Sequence, residues 1–268
     1  MENRLDIVLV NQGLAKSREK AKALIKEGKV YINNKVQTKA SQTVDEDTLI
    51  EIRGDVCEFV SRGGYKLKKA IEHFGLNLTD KVCLDIGAST GGFTDCMLKN
   101  GAAYVYAVDV GHDQLDDTLR SNECVKSMEG VNFRYIEKRD FDKDIAFASC
   151  DVSFISLKHI LPKAFEVLLD NSEMVCLIKP QFEAGKEHLN KKGVVKDKKI
   201  HVKVIREIIE FAENTGFYVV NLTYSPIKGP EGNIEYLVHL IKSSNEQLSK
   251  ASAIHVNASN TVSEAFNE

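Results

Sequence analysis

The sequence predicts an α/β protein whose larger part is a mostly parallel, seven-stranded sheet, preceded along the chain by a small α+β module. Three observations carry this. From about residue 64 onward, short apolar runs alternate with amphipathic helical stretches, the pattern of strands joined by crossover helices. One run, KVCLDIG, opens directly into a glycine-rich turn, GASTGGFTD, at residues 87–95. The first fifty residues instead give two short helices followed by a small antiparallel sheet.

In the leading segment, RLDIVLVNQGL places Leu5, Val8, Leu9 and Leu14 on one helical face, closed by Gly13. SREKAKALIKEG starts at Ser17 as N-cap, holds Ala21, Ala23, Leu24 and Ile25 inside and stops at Gly28. KVYINNKVQTKASQTV supplies a strand, an Asn33-Asn34 turn and a second strand, and TLIEIR a third. Residues 1–52 are read as one domain, 53–63 as a linker and 64–242 as the second domain, which begins with the helix YKLKKAIEHFG.

Its seven strands are expected in KVCLDIG, AAYVYAVDVG, NFRYIEKRD, FASCDVSFIS, EMVCLIKPQFE, FYVVNLTYS and NIEYLVHLIK. Helices are expected over about 90–100, around Ile160, Phe165 and Leu168, and in IHVKVIREIIEFAENTG, closed by Gly216. The last two strands are joined only by SPIKGPEG and must run antiparallel to each other. Residues 243–268, rich in Ser, Asn and Ala, are expected to be a disordered tail.

Composition narrows the function. The N-terminal apolar run Ile7–Val10 is too short for a signal segment, and no stretch approaches the ~18 apolar residues of a membrane helix, so a cytoplasmic protein with no membrane partner is expected. The six cysteines (57, 83, 96, 124, 150 and 176) form no C-x-x-C pair and the seven histidines no ligand spacing, so no structural metal is expected. The net charge of −3 hides an asymmetry: residues 1–44 carry nine Lys or Arg against four acids. A basic segment on an otherwise acidic chain points to a polyanionic partner.

The glycine turn excludes two ligands and favours a third. A triphosphate-binding loop needs a lysine where Phe93 stands. The dinucleotide fingerprint needs a second glycine where Ser89 stands, and Asp85 at the strand end would repel a phosphate. That carboxylate suits a cation. S-adenosylmethionine carries a sulfonium and an ammonium and no phosphate, and Asp109, 24 residues on, is placed to accept its ribose hydroxyls. The cofactor-binding candidates are Asp85, Gly87, Ala88, Ser89, Gly91, Gly92, Phe93, Asp109, Val110 and Asp140.

Six motifs, SRGGYKL, DIGASTGGFTD, AVDVG, CDVSFISL, IKPQFE and GNIEY, occur in that order, and over residues 1–242 the chain resembles the TlyA family. These are S4-domain proteins fused to an FtsJ-like methyltransferase of the Rossmann-like class I fold, often labelled haemolysins. The resemblance implies methylation of cytidine ribose 2′-hydroxyls in ribosomal RNA by a Lys-Asp-Lys-Glu tetrad. Position by position these are Lys66, Asp151, Lys179 and Glu235; YINN departs from the usual glycine-containing turn, and the polar tail is long. It also implies ribosomal RNA or subunits as partner.

The chemistry is consistent on physical grounds. A ribose hydroxyl must lose its proton as it attacks, and a free lysine, pKa about 10.4, is no base. Burial and a second ammonium lower a lysine pKa, so Lys66 and Lys179 are expected to depress one another, with Lys179, after the buried strand VCLIK, the better base. Asp151 is expected to hold Lys179, and Glu235 to position Lys66 or the ribose. Arg4, Arg18, Lys20, Lys22 and Arg62 are candidate RNA contacts, and the basic stretch GKEHLNKKGVVKDKK a second RNA surface or a lid. The alternatives are a non-catalytic RNA-binding or assembly factor, a membrane-lytic protein and a dehydrogenase.

Overall fold

The computed structural model describes residues 2–15, 17–26, 28–53, 57–243 and 256–268. They divide into two compact units, 1–58 and 59–268.

The first unit runs β1 (Glu2–Arg4), α1 (Leu5–Asn11), α2 (Arg18–Lys26), β2 (Val30–Ile32), β3 (Lys35–Val36), β4 (Thr43–Asp45) and β5 (Ile50–Ile52). The order β3-β2-β5 forms one antiparallel sheet, turned at Asn33 and Asn34, which both hold positive φ as a two-residue hairpin turn requires. The sequence reading misses β1 and β4, which pair as a two-stranded ribbon too short to show an alternating pattern. Leu5, Val8, Leu9, Ala21, Ile25, Val30, Val44 and Ile50 make the core, with Leu14 and Leu24 partly buried against it. Ala23, expected inside, is exposed, because it lies on the outer side of α2 from Ala21 and Ile25.

In the second unit α3 (Gly64–Phe74) is followed by β6 (Val82–Ile86), α4 (Gly92–Lys99), β7 (Tyr104–Asp109), α5 (Asp117–Arg120), β8 (Val125–Glu129) and β9 (Ile145–Cys150). Then come α6 (Leu161–Val167), β10 (Leu168–Ile178), α7 (Pro180–Glu183), α8 (Lys198–Thr215), β11 (Phe217–Tyr224), β12 (Tyr236–Lys242) and α9 (Ala258–Asn267). The seven strands lie in the order β11-β12-β10-β9-β6-β7-β8, parallel except β12, which is antiparallel to both neighbours. The chain leaves β6 outward through β7 and β8 and returns to β9. The crevice beyond the carboxyl ends of β6 and β9 is therefore where an open α/β sheet binds ligands.

Two expectations are corrected. The third strand is VKSME at β8, not NFRYIEKRD, whose Phe133–Tyr135 and Lys138–Asp140 form 3₁₀ turns. Phe133 and Ile136 enter the core three residues apart, the spacing of a 3₁₀ turn, whereas β8 is an edge strand that needs little apolar content. The polar tail is not wholly without structure: α9 buries Ala258, Thr261, Val262 and Ala265, an i, i+3, i+4, i+7 stripe, and packs on α8 and β11. Residues 244–255 lie outside the described residues. No helix among the described residues is long and apolar enough to cross a membrane.

Candidate active site

The glycine turn divides into a packed half and an open half. On the packed side, a Cβ at Gly92 would lie 2.3 Å from Ser61 Oγ and 2.9 Å from the Gly64 nitrogen, so glycine there lets the starts of α4 and α3 meet. Gly91 stands against Leu119 and Leu115, and Phe93 is buried in the apolar layer between α3 and the sheet. The side-chain space of these three is taken up by packing rather than turned to a ligand. On the open side, Gly87 has φ +83, and a Cβ would meet the Asp151 carbonyl oxygen at 2.8 Å, so only glycine brings this turn against the end of β9.

Asp85 corrects the sequence reading. Its side chain is fully buried under the turn and accepts hydrogen bonds from the Thr94 hydroxyl at 2.7 Å and the Ser149 hydroxyl at 3.2 Å. Burial pushes its pKa up to about 7 against the two hydroxyls, so near neutrality it supports the turn instead of offering a fixed exposed charge. A carboxyl whose folded pKa lies above its unfolded 3.8 stabilises fully below about pH 4, and that contribution is lost as pH rises to about 7. Asp85→Asn is therefore expected to gain on wild type across pH 4 to 7, by up to about 4 kcal/mol at pH 8. Chemical denaturation of both proteins at several pH values measures it. Parallel stability curves would show that Asp85 keeps an ordinary pKa.

Asp109, at the end of β7, is oriented by two backbone donors: Ser89 N–H to Oδ2 at 2.8 Å and Gly111 N–H to Oδ1 at 2.7 Å. Each oxygen retains a lone pair for a ribose hydroxyl. Beside it Val110 is 67% exposed, an apolar surface at the rim. Ala88 is buried and Ser89 is exposed at positive φ. Asp140 is exposed and spends its carboxylate on the Glu137 N–H, capping a 3₁₀ turn. An acid for a diol, an apolar face for a base and no cation in the turn suit S-adenosylmethionine better than a nucleotide phosphate.

Lys66, Asp151, Lys179 and Glu235 come together although they lie on α3 and at three strand ends. Lys66 Nζ donates to Glu235 Oε2 at 2.7 Å and to Asp151 Oδ2 at 3.2 Å. Lys179 Nζ is 2.5 Å from Asp151 Oδ1 and 3.2 Å from Ser153 Oγ. β12 runs against its neighbours, so Glu235, just before its start, reaches the same sheet edge as Asp151 and Lys179, just after the ends of β9 and β10. Glu235 is 1% exposed, and Gly229 leaves it room: a Cβ there would lie 2.3 Å from Oε1.

Two ammoniums and two carboxylates give a neutral set. Burial would lower the Lys66 pKa, but the charges of Asp151 and Glu235 outweigh it and hold that ammonium above its usual value. The expectation that the two lysines depress each other therefore fails for Lys66, because carboxylates stand nearer to it. Burial would likewise raise Asp151, and the two ammoniums instead hold it below the ordinary carboxylate range.

The sequence reading missed three neighbours. Ser153 touches Lys179, and the Gln181 amide donates to Glu235 Oε1 at 3.4 Å. Phe154, three residues past Asp151, is 91% exposed at φ +64 and lies 5.0 Å from the Phe182 ring. A polar turn after a buried strand that contains one phenylalanine was the available signal. Arg62 is exposed and lines a cavity of about 410 Å³ with Tyr224, Lys228, Glu235 and Glu268. In the first unit, Arg4 and Arg18 both bond to Asp6, Lys22 pairs with Glu19 at 2.7 Å, and Lys20 lies half-buried on α2. The basic stretch after α7 is tied down, with Gly193 and Val195 carbonyls accepting from Asn233 and His201. No group of three or more His, Cys, Asp or Glu among the described residues could hold a metal.

Known families match both parts of the chain. Residues 59–242 match the model of the FtsJ-like methyltransferase family, and residues 3–50 the S4 domain. The chain is 48% identical over 240 residues to YqxC of Bacillus subtilis, provisionally named an rRNA methyltransferase, covering 89% of this chain and 85% of that one. It is 37% identical over 247 residues to the 16S/23S rRNA (cytidine-2′-O)-methyltransferase TlyA of Mycobacterium tuberculosis, covering 92% of each. A solved structure from Streptococcus thermophilus, provisionally named a hemolysin, superposes with a TM-score of 0.79 at 44% identity over 100% of this chain and 96% of that one. A glycine turn without a phosphate-binding cation, a Lys-Asp-Lys-Glu cluster at the sheet edge and a leading S4 module thus occur in one chain, and it belongs to the FtsJ-like methyltransferase family, among the S4-linked members that include TlyA.

Proposed function

We propose that this protein transfers a methyl group from S-adenosylmethionine to the 2′-hydroxyl of a cytidine ribose in ribosomal RNA, as the name of its TlyA relative says of that protein. The observation that carries the reading is the tetrad: two lysines and two carboxylates within 2.5 to 3.2 Å at the ligand-binding edge of the sheet. S-adenosylmethionine supplies an electrophilic methyl on a sulfonium; Asp109, Val110 and the open face of Gly87–Ser89 are the residues to hold it.

The chain's own groups then handle the proton. Lys66, held charged under two carboxylates, acts as a fixed cation that orients the ribose oxygen. Lys179 faces a single carboxylate and, once its own proton has been released to solvent, is as the neutral amine the acceptor of the hydroxyl proton, with Asp151 holding its nitrogen and Ser153 a second partner. Glu235 fixes Lys66 and is fixed in turn by Gln181. Phe154 offers an uncovered ring beside this set, a platform on which an unstacked base can rest. Phe154→Ala is expected to raise the KM for RNA about tenfold, equivalent to ~1–3 kcal/mol of lost stacking, with S-adenosylmethionine affinity unchanged; initial rates against RNA concentration measure it. An unchanged KM would leave Phe154 outside the RNA path.

The arginines of the S4 module and Arg62 supply phosphate contacts, which position the strand and read little sequence. The partner is the ribosomal subunit or its RNA, and the reaction belongs to the cytoplasm. Incubation with labelled S-adenosylmethionine and ribosomal subunits lacking the modification tests the reading. Label at one ribose 2′-oxygen is the expected result. Tight RNA binding without label on any subunit would favour a non-catalytic assembly factor.

A further inference from the structure

Within the S4 module, a buried acid organises the exposed cations. Asp6, in the first turn of α1, has 0% of its side chain exposed. A carboxylate so enclosed must be paired. It is paired three times by two arginines from different elements: Arg4 Nε to Oδ1 at 2.9 Å, Arg4 Nη2 to Oδ2 at 3.1 Å and Arg18 Nη2 to Oδ2 at 3.2 Å. Arg4 ends β1 and Arg18 starts α2, so the one carboxylate joins the strand to both helices.

The burial is one-sided. Asp6 is enclosed, while the Arg4 and Arg18 side chains stay 45% and 52% exposed. Each guanidinium has five N–H donors, and Asp6 takes two from Arg4 and one from Arg18, so most donors of each are not used by Asp6. The set keeps a net positive charge. Unattached, two arginines this close would repel each other and sample many rotamers, and a ligand would have to order both.

We propose that Asp6 is the positioning residue of this module's RNA grip, fixing Arg4 and Arg18 as one preorganised two-pronged phosphate site. This rests on the RNA reading above and deepens it. The effect has a sign that simple charge does not. Removing the acid adds net positive charge and favours any polyanion, while freeing the arginines weakens only an RNA that needs them at fixed positions.

The experiment measures binding of the full chain, wild type and Asp6→Asn, to ribosomal subunits lacking the modification and to poly(U), with thermal melts alongside. The expected result is about a tenfold weaker Kd for the subunits, with poly(U) binding equal or tighter. Equal tightening on both ligands, or no change on either, overturns the inference. Should Asp6→Asn lower the melting transition, the double variant Arg4→Lys, Arg18→Lys gives the same test, since it keeps both charges and loses the fork geometry. That variant binding the subunits like wild type would also overturn it. Should Arg4→Ala and Arg18→Ala leave subunit binding unchanged, the RNA reading of this face fails first; losses there without a loss in Asp6→Asn fail the inference alone.

Discussion

Lys179→Ala is expected to slow methyl transfer by about 10²–10⁴-fold, the range for loss of a general base, with S-adenosylmethionine and RNA affinities close to wild type. The expectation follows from the asymmetry of the tetrad. Lys66 sits between Asp151 and Glu235, at 3.2 and 2.7 Å, and is held charged by them; an ammonium kept above its usual pKa is a poor proton acceptor. Lys179 has one carboxylate, at 2.5 Å, and one neutral hydroxyl. Lys179→Arg separates the two roles a lysine can have here, because arginine keeps the charge and does not release a proton in proteins. It is expected to be as inactive as the alanine variant. Single-turnover rates with prebound RNA measure both, since they exclude binding and product release. An arginine variant that transfers methyl at more than a tenth of the wild-type rate would make the position electrostatic, and Lys66 the next residue to test.

Asp151→Asn is the second large effect, and it joins activity to stability. Both lysines share this carboxylate, one on each oxygen. The amide would leave two enclosed ammoniums with Glu235 as the remaining acid of the tetrad, and breaking a buried pair costs about 3–5 kcal/mol. Methyl transfer should fall at least about a hundredfold, because neither lysine nitrogen keeps its place. The pH dependence gives the mechanism. Asp151 is held below its ordinary value of 3.8, so its contribution is fully present above about pH 4 and is lost as pH falls through the lower folded value. Wild type and variant should therefore differ at pH 7 and converge as pH falls below about 4 and through the lowered folded value in chemical denaturation. A constant gap over that range would assign the loss to packing and not to charge.

Much of the fold is legible in residue order because its strands are buried on both faces. VCLDI, YVYAVD, IAFASC and the end of EMVCLI are near-continuous apolar runs, and each is found as a strand. The reading goes wrong where burial does not impose a pattern. β8 is an edge strand with one well-buried residue, Val125, and its polar sequence is outscored by NFRYIEKRD, whose aromatics reach the core through 3₁₀ turns. α9 hides in a polar tail because its buried stripe is made of alanines, a threonine and one valine.

The four tetrad residues are legible as residue types in six ordered motifs; their charge balance is not. Lys66 and Glu235 are 169 positions apart, and nothing local to either states that they meet at 2.7 Å. Asp85 shows the same limit. Beside a glycine turn it reads as a carboxylate facing a cationic ligand, yet the fold seals it under two hydroxyls and raises its pKa to about 7. Asp6 is a third case, one acid to be subtracted from a basic segment until it is found buried beneath two arginines. The sequence alone therefore determined the domain order and the alternation of strands and helices, since these depend on local periodicity and spacing, while the residue types of the chemistry came from the family resemblance that its ordered motifs carry. Only the tertiary structure decided which groups are charged, which are covered and which face a ligand, because solvent exclusion and Coulomb interactions depend on distance in space and not along the chain.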